Sequence, residues 1–127
     1  MSSQPRPQPV SMAVKSKVWL EVNGRPIFGD GKCRWLALID ELGSLKAVAE
    51  ELGMSYRGLW GRLGEIERRL GVPLVERHAG GPGGGSTRLT DHGRRFLQAY
   101  KRFRAGINEH VDRRAAKLFA EVRAMLQ

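Results

Sequence analysis

The sequence has a single cysteine, Cys33. That excludes an internal disulfide framework and any metal knuckle built from several cysteines. It also has no long apolar run, and a membrane-spanning helix needs about 20 consecutive apolar residues. The N-terminus lacks the apolar core of a secretory signal. Acidic residues are few: 13 Asp and Glu stand against 22 Lys and Arg, a formal net charge of +9. No carboxylate pair and no Ser/His/Asp set falls in a pattern that suggests catalysis, so an enzyme is not expected. His78, His92 and His110 lie far apart with no ligand spacing. Neither a metal nor another cofactor is expected. What remains is a small basic chain of one domain, or one domain plus a tail, expected in the cytoplasm with a polyanion as partner.

The charge is uneven. Residues 31–70 carry a net +1 and residues 88–127 a net +6. The C-terminal excess reads either as a solvated helix face or as groups that meet phosphates.

Residues 1–16 are rich in Pro, Ser and Gln without a period and read as a disordered arm. Val18, Leu20 and Val22 then alternate as in a strand. Asn23-Gly24 follows, the residue pair that a type I′ hairpin turn favours because both positions need positive φ. Arg25 to Phe28 is the return strand, with Pro26 implying an edge. Asp30 suits the N-cap of a helix to Leu42, whose apolar stripe is Trp35, Leu36, Leu38, Ile39 and Leu42. Gly43 ends it. Ser44 caps a short helix with Leu45, Val48, Ala49 and Leu52 on one face, and Gly53 stops that one. Ser55 caps a third helix with the stripe Leu59, Leu63, Ile66 and Leu70, ended by Gly71 and Pro73.

Leu74 to Arg77 is a short strand. The run Gly80 to Gly85 holds five of the sixteen glycines, and Thr87 to Leu89 pairs back. Gly80, Gly85, Ser86 and Thr87 loosely resemble a phosphate-binding loop. Ser86 stands where the lysine belongs, however, and no strand-to-helix context follows, so nucleotide binding is set aside. Thr90 or Asp91 caps a final helix. Its apolar residues Phe96, Tyr100, Phe103, Ile107, Val111, Ala115, Leu118, Val122 and Met125 fall at near-heptad steps with a stutter around His110. Such a helix is too long for this small domain to cover. Its first part is expected to pack on the domain and the rest to pair with a second subunit.

The order hairpin, three helices, strand, glycine loop, strand predicts a mainly α fold with small β-hairpins. This is a winged helix-turn-helix over residues 17–90, preceded by the arm at 1–16 and followed by a long dimerisation helix over 91–127. Small Ala49 lets the second and third helices cross closely, and Gly53 supplies the left-handed turn between them. On the third helix, Arg57, Gly61, Gly64 and Arg68 point away from the apolar stripe, with Tyr56 and Trp60 on one flank. In a DNA major groove Arg57 would bond guanine O6 and N7. The two glycines would let the helix backbone come close to DNA, although they are also simply poor helix residues. The Ser55 hydroxyl and the helix N-terminal amides suit a phosphate. Trp60 fits either the flank or the core.

From Ala47 to Gly93 the spacing resembles LysR-type DNA-binding domains: Ala49-x-x-Leu52, Ser55, Leu59, Ile66-Glu67, Leu70-Gly71, Leu74, Arg77, Leu89-Thr90 and Gly93. GMSYRGLW (Gly53 to Trp60) and LVERHAGGPGGGSTRLT (Leu74 to Thr90) resemble one branch, the ModE family of molybdate-responsive transcriptional regulators. The resemblance covers about residues 17–125. It implies a dimer that binds double-stranded DNA at an inverted-repeat operator through the third helix and the wing, with the long helices dimerising. The expected readout residues are Tyr56, Arg57 and Trp60. Ser44, Lys46, Ser55, Arg62, Arg77, Thr87 and Arg88 are expected on the sugar-phosphate backbone. The family's prototype continues into a molybdate-binding module that is not expected here, so molybdate sensing is not carried over. Two other readings stand beside this one: a protein-interaction adaptor on the same fold, which Glu65 keeps open, and a non-specific nucleoid-type binder.

Overall fold

A computed structural model describes residues 9–78 and 85–127. The first eight residues of the expected arm, and residues 79–84 of the glycine run, lie outside the described residues. The described residues are mainly helical, with four α-helices and two antiparallel hairpins. They fall into two compact units. One is Val18–Arg104, and the other comprises residues 9–17 with Ala105–Gln127.

In the first unit, β1 (Trp19–Val22) and β2 (Arg25–Gly29) are joined by Asn23 and Gly24 at φ 52° and 77°. Two successive positive φ values match the twist of the flanking strands. The register shifts after Leu20: Leu20 faces Phe28, but Glu21 faces Pro26. Ile27 is thus an extra residue in β2. Regular alternation would bury only one of two neighbours, whereas this bulge buries both Ile27 and Phe28. Pro26 lies in a two-stranded sheet, where every strand is an edge.

The first helix, α1, spans Asp30–Leu42. Gly29, not Asp30, holds its N-cap position, and no side chain caps it. Asp30 is instead the first helical residue. Its carboxylate accepts the Tyr100 hydroxyl at 2.6 Å and the Arg104 Nε–H at 3.1 Å. Partners seventy positions away are not visible to local sequence rules, and they take the carboxylate from the cap. Leu36 and Ile39 are buried, Trp35 and Leu38 half-buried, and Leu42 is exposed, which narrows the expected stripe. The Cys33 thiol is half-buried, and burial raises its pKa, as befits an unreactive packing residue.

The next two helices, α2 (Leu45–Leu52) and α3 (Tyr56–Leu70), both begin at serine caps. Ser44 Oγ accepts the Ala47 N–H, and Ser55 Oγ accepts the Gly58 N–H. Helices α1, α2 and α3 end at Gly43, Gly53 and Gly71, with φ of 67°, 67° and 80°. Only glycine enters that region without a Cβ clash, so each helix stops there and the chain turns sharply. Leu59, Leu63 and Ile66 of α3 join Leu36, Ile39, Leu45, Val48 and Ala49 in one core.

Strand β3 (Val75–His78) pairs with β4 (Ser86–Leu89), Val75 opposite Leu89 and His78 opposite Ser86. The last helix, α4, spans Asp91–Met125. Thr90 is its cap, because its hydroxyl oxygen accepts the Gly93 N–H while its O–H donates to the Pro73 carbonyl. Within the first unit, Phe28 meets Phe96 and Tyr100 edge-on, with ring centroids 4.5 and 5.0 Å apart. The α4 residues buried there are Gly93, Leu97 and Tyr100. Leu97 was not in the expected stripe, and Phe103, which was, is 55% exposed. In the second unit, residues 9–17 form neither helix nor strand, Met12 is half-buried and Ala115 is buried. No helix among the described residues is long and apolar enough to cross a membrane.

The Tyr100 O–H and the Arg104 guanidinium hold the Asp30 carboxyl below the usual carboxylate range. Its folded pKa therefore lies under its unfolded one. The stability it contributes is present above the unfolded value, near 4, and is lost as pH falls through the folded value. Asp30 is half exposed, which screens the pair. Asp30→Ala should lower stability by about 1 kcal/mol at neutral pH. In urea unfolding, the gap to wild type should close below about pH 4.

Candidate nucleic-acid interface

The turn between α2 and α3 is closed by backbone bonds, the Gly53 N–H to the Glu50 carbonyl and the Met54 N–H to the Ala49 carbonyl. It sets α3 with Leu59, Leu63 and Ile66 inward and Tyr56, Arg57, Trp60, Gly61 and Arg62 exposed. Trp60 is 39% exposed, so it belongs to the flank and not to the core.

The wing is tied to the far end of α3. Glu67 Oε2 accepts the Leu74 and Val75 N–H groups at 2.6 and 3.1 Å. The Leu74 carbonyl in turn accepts the Thr90 N–H. Gly93 packs so closely on that carbonyl that a Cβ there would collide with the Leu74 backbone. On the other strand, the Thr87 N–H donates to the Gly43 carbonyl at 3.0 Å. These bonds bring β3 over the first half of α3. There the Arg77 guanidinium carbon lies 3.0 Å above the centre of the Trp60 ring and 5.2 Å from that of Tyr56.

Of the expected site residues, Tyr56, Arg57, Trp60, Arg62 and Arg77 come together on and over α3. Arg88 is exposed on β4 opposite Glu76, and Lys46 is exposed on α2. Ser44 and Ser55 spend their acceptor lone pairs on helix caps, which leaves the O–H of each to donate. Thr87 is a correction. It is 4% exposed, because the alternation of β4 turns it inward together with Leu89, and its side chain is closed to a phosphate. On the outer face, Gly61 has open space where a Cβ would be, whereas Gly64 is half-buried with the Arg68 guanidinium 3.3 Å from that point. Gly58 escaped the sequence reading. A Cβ there would come within 2.8 Å of Ser55 Oγ, so a larger residue would require that hydroxyl to shift. Glu65 is engaged by Arg69 at 3.0 Å, which holds its carboxyl below the usual range.

A helix-turn-helix followed by a β-wing defines the class. Residues 32–94 match the family described as "Bacterial regulatory helix-turn-helix protein, lysR family". The chain thus carries a LysR-type helix-turn-helix domain, the DNA-binding domain of transcriptional regulators. Its relatives include regulators named ModE. It is 30% identical over 103 residues to the "Molybdenum transport protein ModE" of Azotobacter vinelandii, covering 81% of this chain and 38% of that protein. It is 40% identical over 58 residues to the "DNA-binding transcriptional dual regulator ModE" of Escherichia coli, covering 46% and 22%. It is also 36% identical over 72 residues to the "Molybdenum-pterin-binding protein MopB" of Rhodobacter capsulatus, covering 57% and 27%. The chain therefore spans between 22% and 38% of the length of these curated relatives. Among solved structures, ArgP of Mycobacterium tuberculosis is similar at 26% identity and a TM-score of 0.49, covering 63% of this chain and 28% of that one.

Among the described residues, no atom lies within 4 Å of where a Gly61 Cβ would be. Gly61→Ala should therefore raise helix stability by about 1 kcal/mol. If the bare backbone serves close approach to DNA, the same variant should bind duplex more weakly. Higher thermal stability with unchanged duplex affinity would remove Gly61 from the interface.

Proposed function

We propose that the protein is a sequence-specific, dimeric transcriptional regulator of the LysR/ModE type that binds an inverted-repeat operator. The observation that carries this reading is the outer face of α3. It presents Tyr56, Arg57, Trp60 and Arg62 around an open Gly61, with Arg77 of the wing above it. Arg57 reads base edges in the major groove with Tyr56 and Trp60 beside it. Lys46, Arg62, Arg88 and the Ser44 and Ser55 hydroxyls hold the sugar-phosphate backbone and set the register. The near-neutral stretch that contains α3 supplies the discrimination, and the basic residues from 88 onward speed encounter with DNA. Two copies pair through the apolar stripe of α4, where Leu118 is 54% exposed. Two-fold pairing is what an inverted repeat requires. The ion pair of Glu65 with Arg69 neutralises the one acidic feature of the α3 surface that favoured an adaptor.

The test starts from duplexes enriched out of a random library by the purified protein. Arg57→Ala should lose about 1–3 kcal/mol on the enriched duplex and little on random duplex. Equal losses on both would place Arg57 on the backbone. Affinity should fall steeply as salt rises, because each phosphate contact releases counterions. A flat salt response would end the DNA reading. Sedimentation should give a dimer, and a monomer at micromolar concentration would separate DNA binding from pairing. Adding molybdate to the same binding assay tests whether the tie to molybdenum in its relatives' names extends to this chain.

A further inference from the structure

The sequence places Arg77 among backbone contacts, but its surroundings differ from those of the other exposed cations. Seven residues of α3 lead from Glu67 back to Trp60, and three residues of β3 lead from Leu74 to Arg77. Both paths cover about 10 Å. The Glu67 bonds to Leu74 and Val75 at one end therefore deliver Arg77 onto Trp60 at the other. Thr87, the register partner of Arg77, is held from the opposite side by the Gly43 carbonyl. The wing is thus held at the start of β3 by Glu67 and, on β4 opposite Arg77, by the Gly43 carbonyl.

The rings of Trp60 and Tyr56 lie against the guanidinium, while its five N–H donors project along its plane. None of these donors has a hydrogen-bond or ion-pair acceptor among the described residues. A stacked guanidinium keeps its fork in one orientation and loses little freedom on meeting two acceptors. Arg57 has no such ring beneath it among the described residues. A fixed fork suits any two acceptors side by side, the oxygens of a phosphate or, in the major groove, guanine O6 and N7. Arg77 lies over Trp60 and Tyr56, the residues placed in the major groove, and that position favours the guanine.

We propose that Arg77 is a specificity-determining residue, whose guanidinium, stacked on Trp60 beside Tyr56, reads one guanine of the operator. This rests on the DNA-binding reading above. The probe is the duplex enriched by the wild-type protein, with each guanine replaced in turn by 7-deazaguanine, which keeps base pairing and removes N7. If wild type enriches no sequence, both readings fall together. With an enriched duplex in hand, one replacement should weaken wild type by about tenfold or more. That same replacement should leave Arg77→Lys unaffected, while the binding of Arg77→Lys to random duplex stays near wild type. Trp60→Leu should lose the same guanine sensitivity with Arg77 still present, and Trp60→Phe, which keeps a ring, should retain it. Thermal melts confirm that these surface variants fold. Two results overturn the proposal: Arg77→Lys retaining full sensitivity at every guanine, or Arg77→Ala weakening enriched and random duplex by the same factor.

Discussion

The Glu67 carboxylate is the interaction on which the interface depends. It sits half-buried near the end of α3 and accepts two backbone N–H groups of the segment that becomes β3. A charged acceptor on two amide donors is among the stronger hydrogen-bond arrangements, and here it satisfies the N–H groups of the buried Leu74 and Val75. The same residue, Leu74, gives its carbonyl to Thr90 and lies under Gly93. The end of α3, the start of the wing and the start of α4 therefore converge on a single peptide unit. Move it, and the wing no longer lies over α3.

A division of labour follows for the charge. The excess of Lys and Arg from residue 88 onward lies largely on α4, where it solvates a helix and draws in a polyanion. Helix α3 carries four arginines and two glutamates, and both glutamates are engaged, Glu65 by Arg69 and Glu67 by the wing backbone. The polar groups left facing outward are those that can discriminate between bases. Long-range attraction and local reading thus come from different parts of the chain, and salt acts mainly on the first.

Much of the fold was legible because it is written in short-range rules. Asn23-Gly24 specified a hairpin turn, Ser44 and Ser55 specified two helix starts, and Gly43, Gly53 and Gly71 specified three stops. Each of these acts within four residues. Asp30 fits a helix cap by its neighbours alone, yet Tyr100 and Arg104 claim its carboxylate. Thr87 is expected at the sugar-phosphate backbone, yet strand alternation turns it inward. Leu97, one position off the expected stripe of α4, is buried, while Phe103 of that stripe is exposed. Spacing predicts which residues share a face but not how wide a face the neighbouring elements cover.

The sequence by itself determined the order of elements, the turns between them and the outward face of α3, since periodicity and capping are properties of consecutive residues. It also carried the LysR-type resemblance through motifs of fixed spacing. Only the tertiary structure decided what meets across long separations. The Asp30 tie to α4, the Glu67 clamp on the wing and the placement of Arg77 on Trp60 each join residues that no local rule connects. The bulge at Ile27 belongs with them, because breaking the alternation to bury two consecutive strand residues makes sense only against the core that other elements supply. These contacts exist because loop geometry and core packing bring distant side chains within reach, and that is settled only when the whole unit folds.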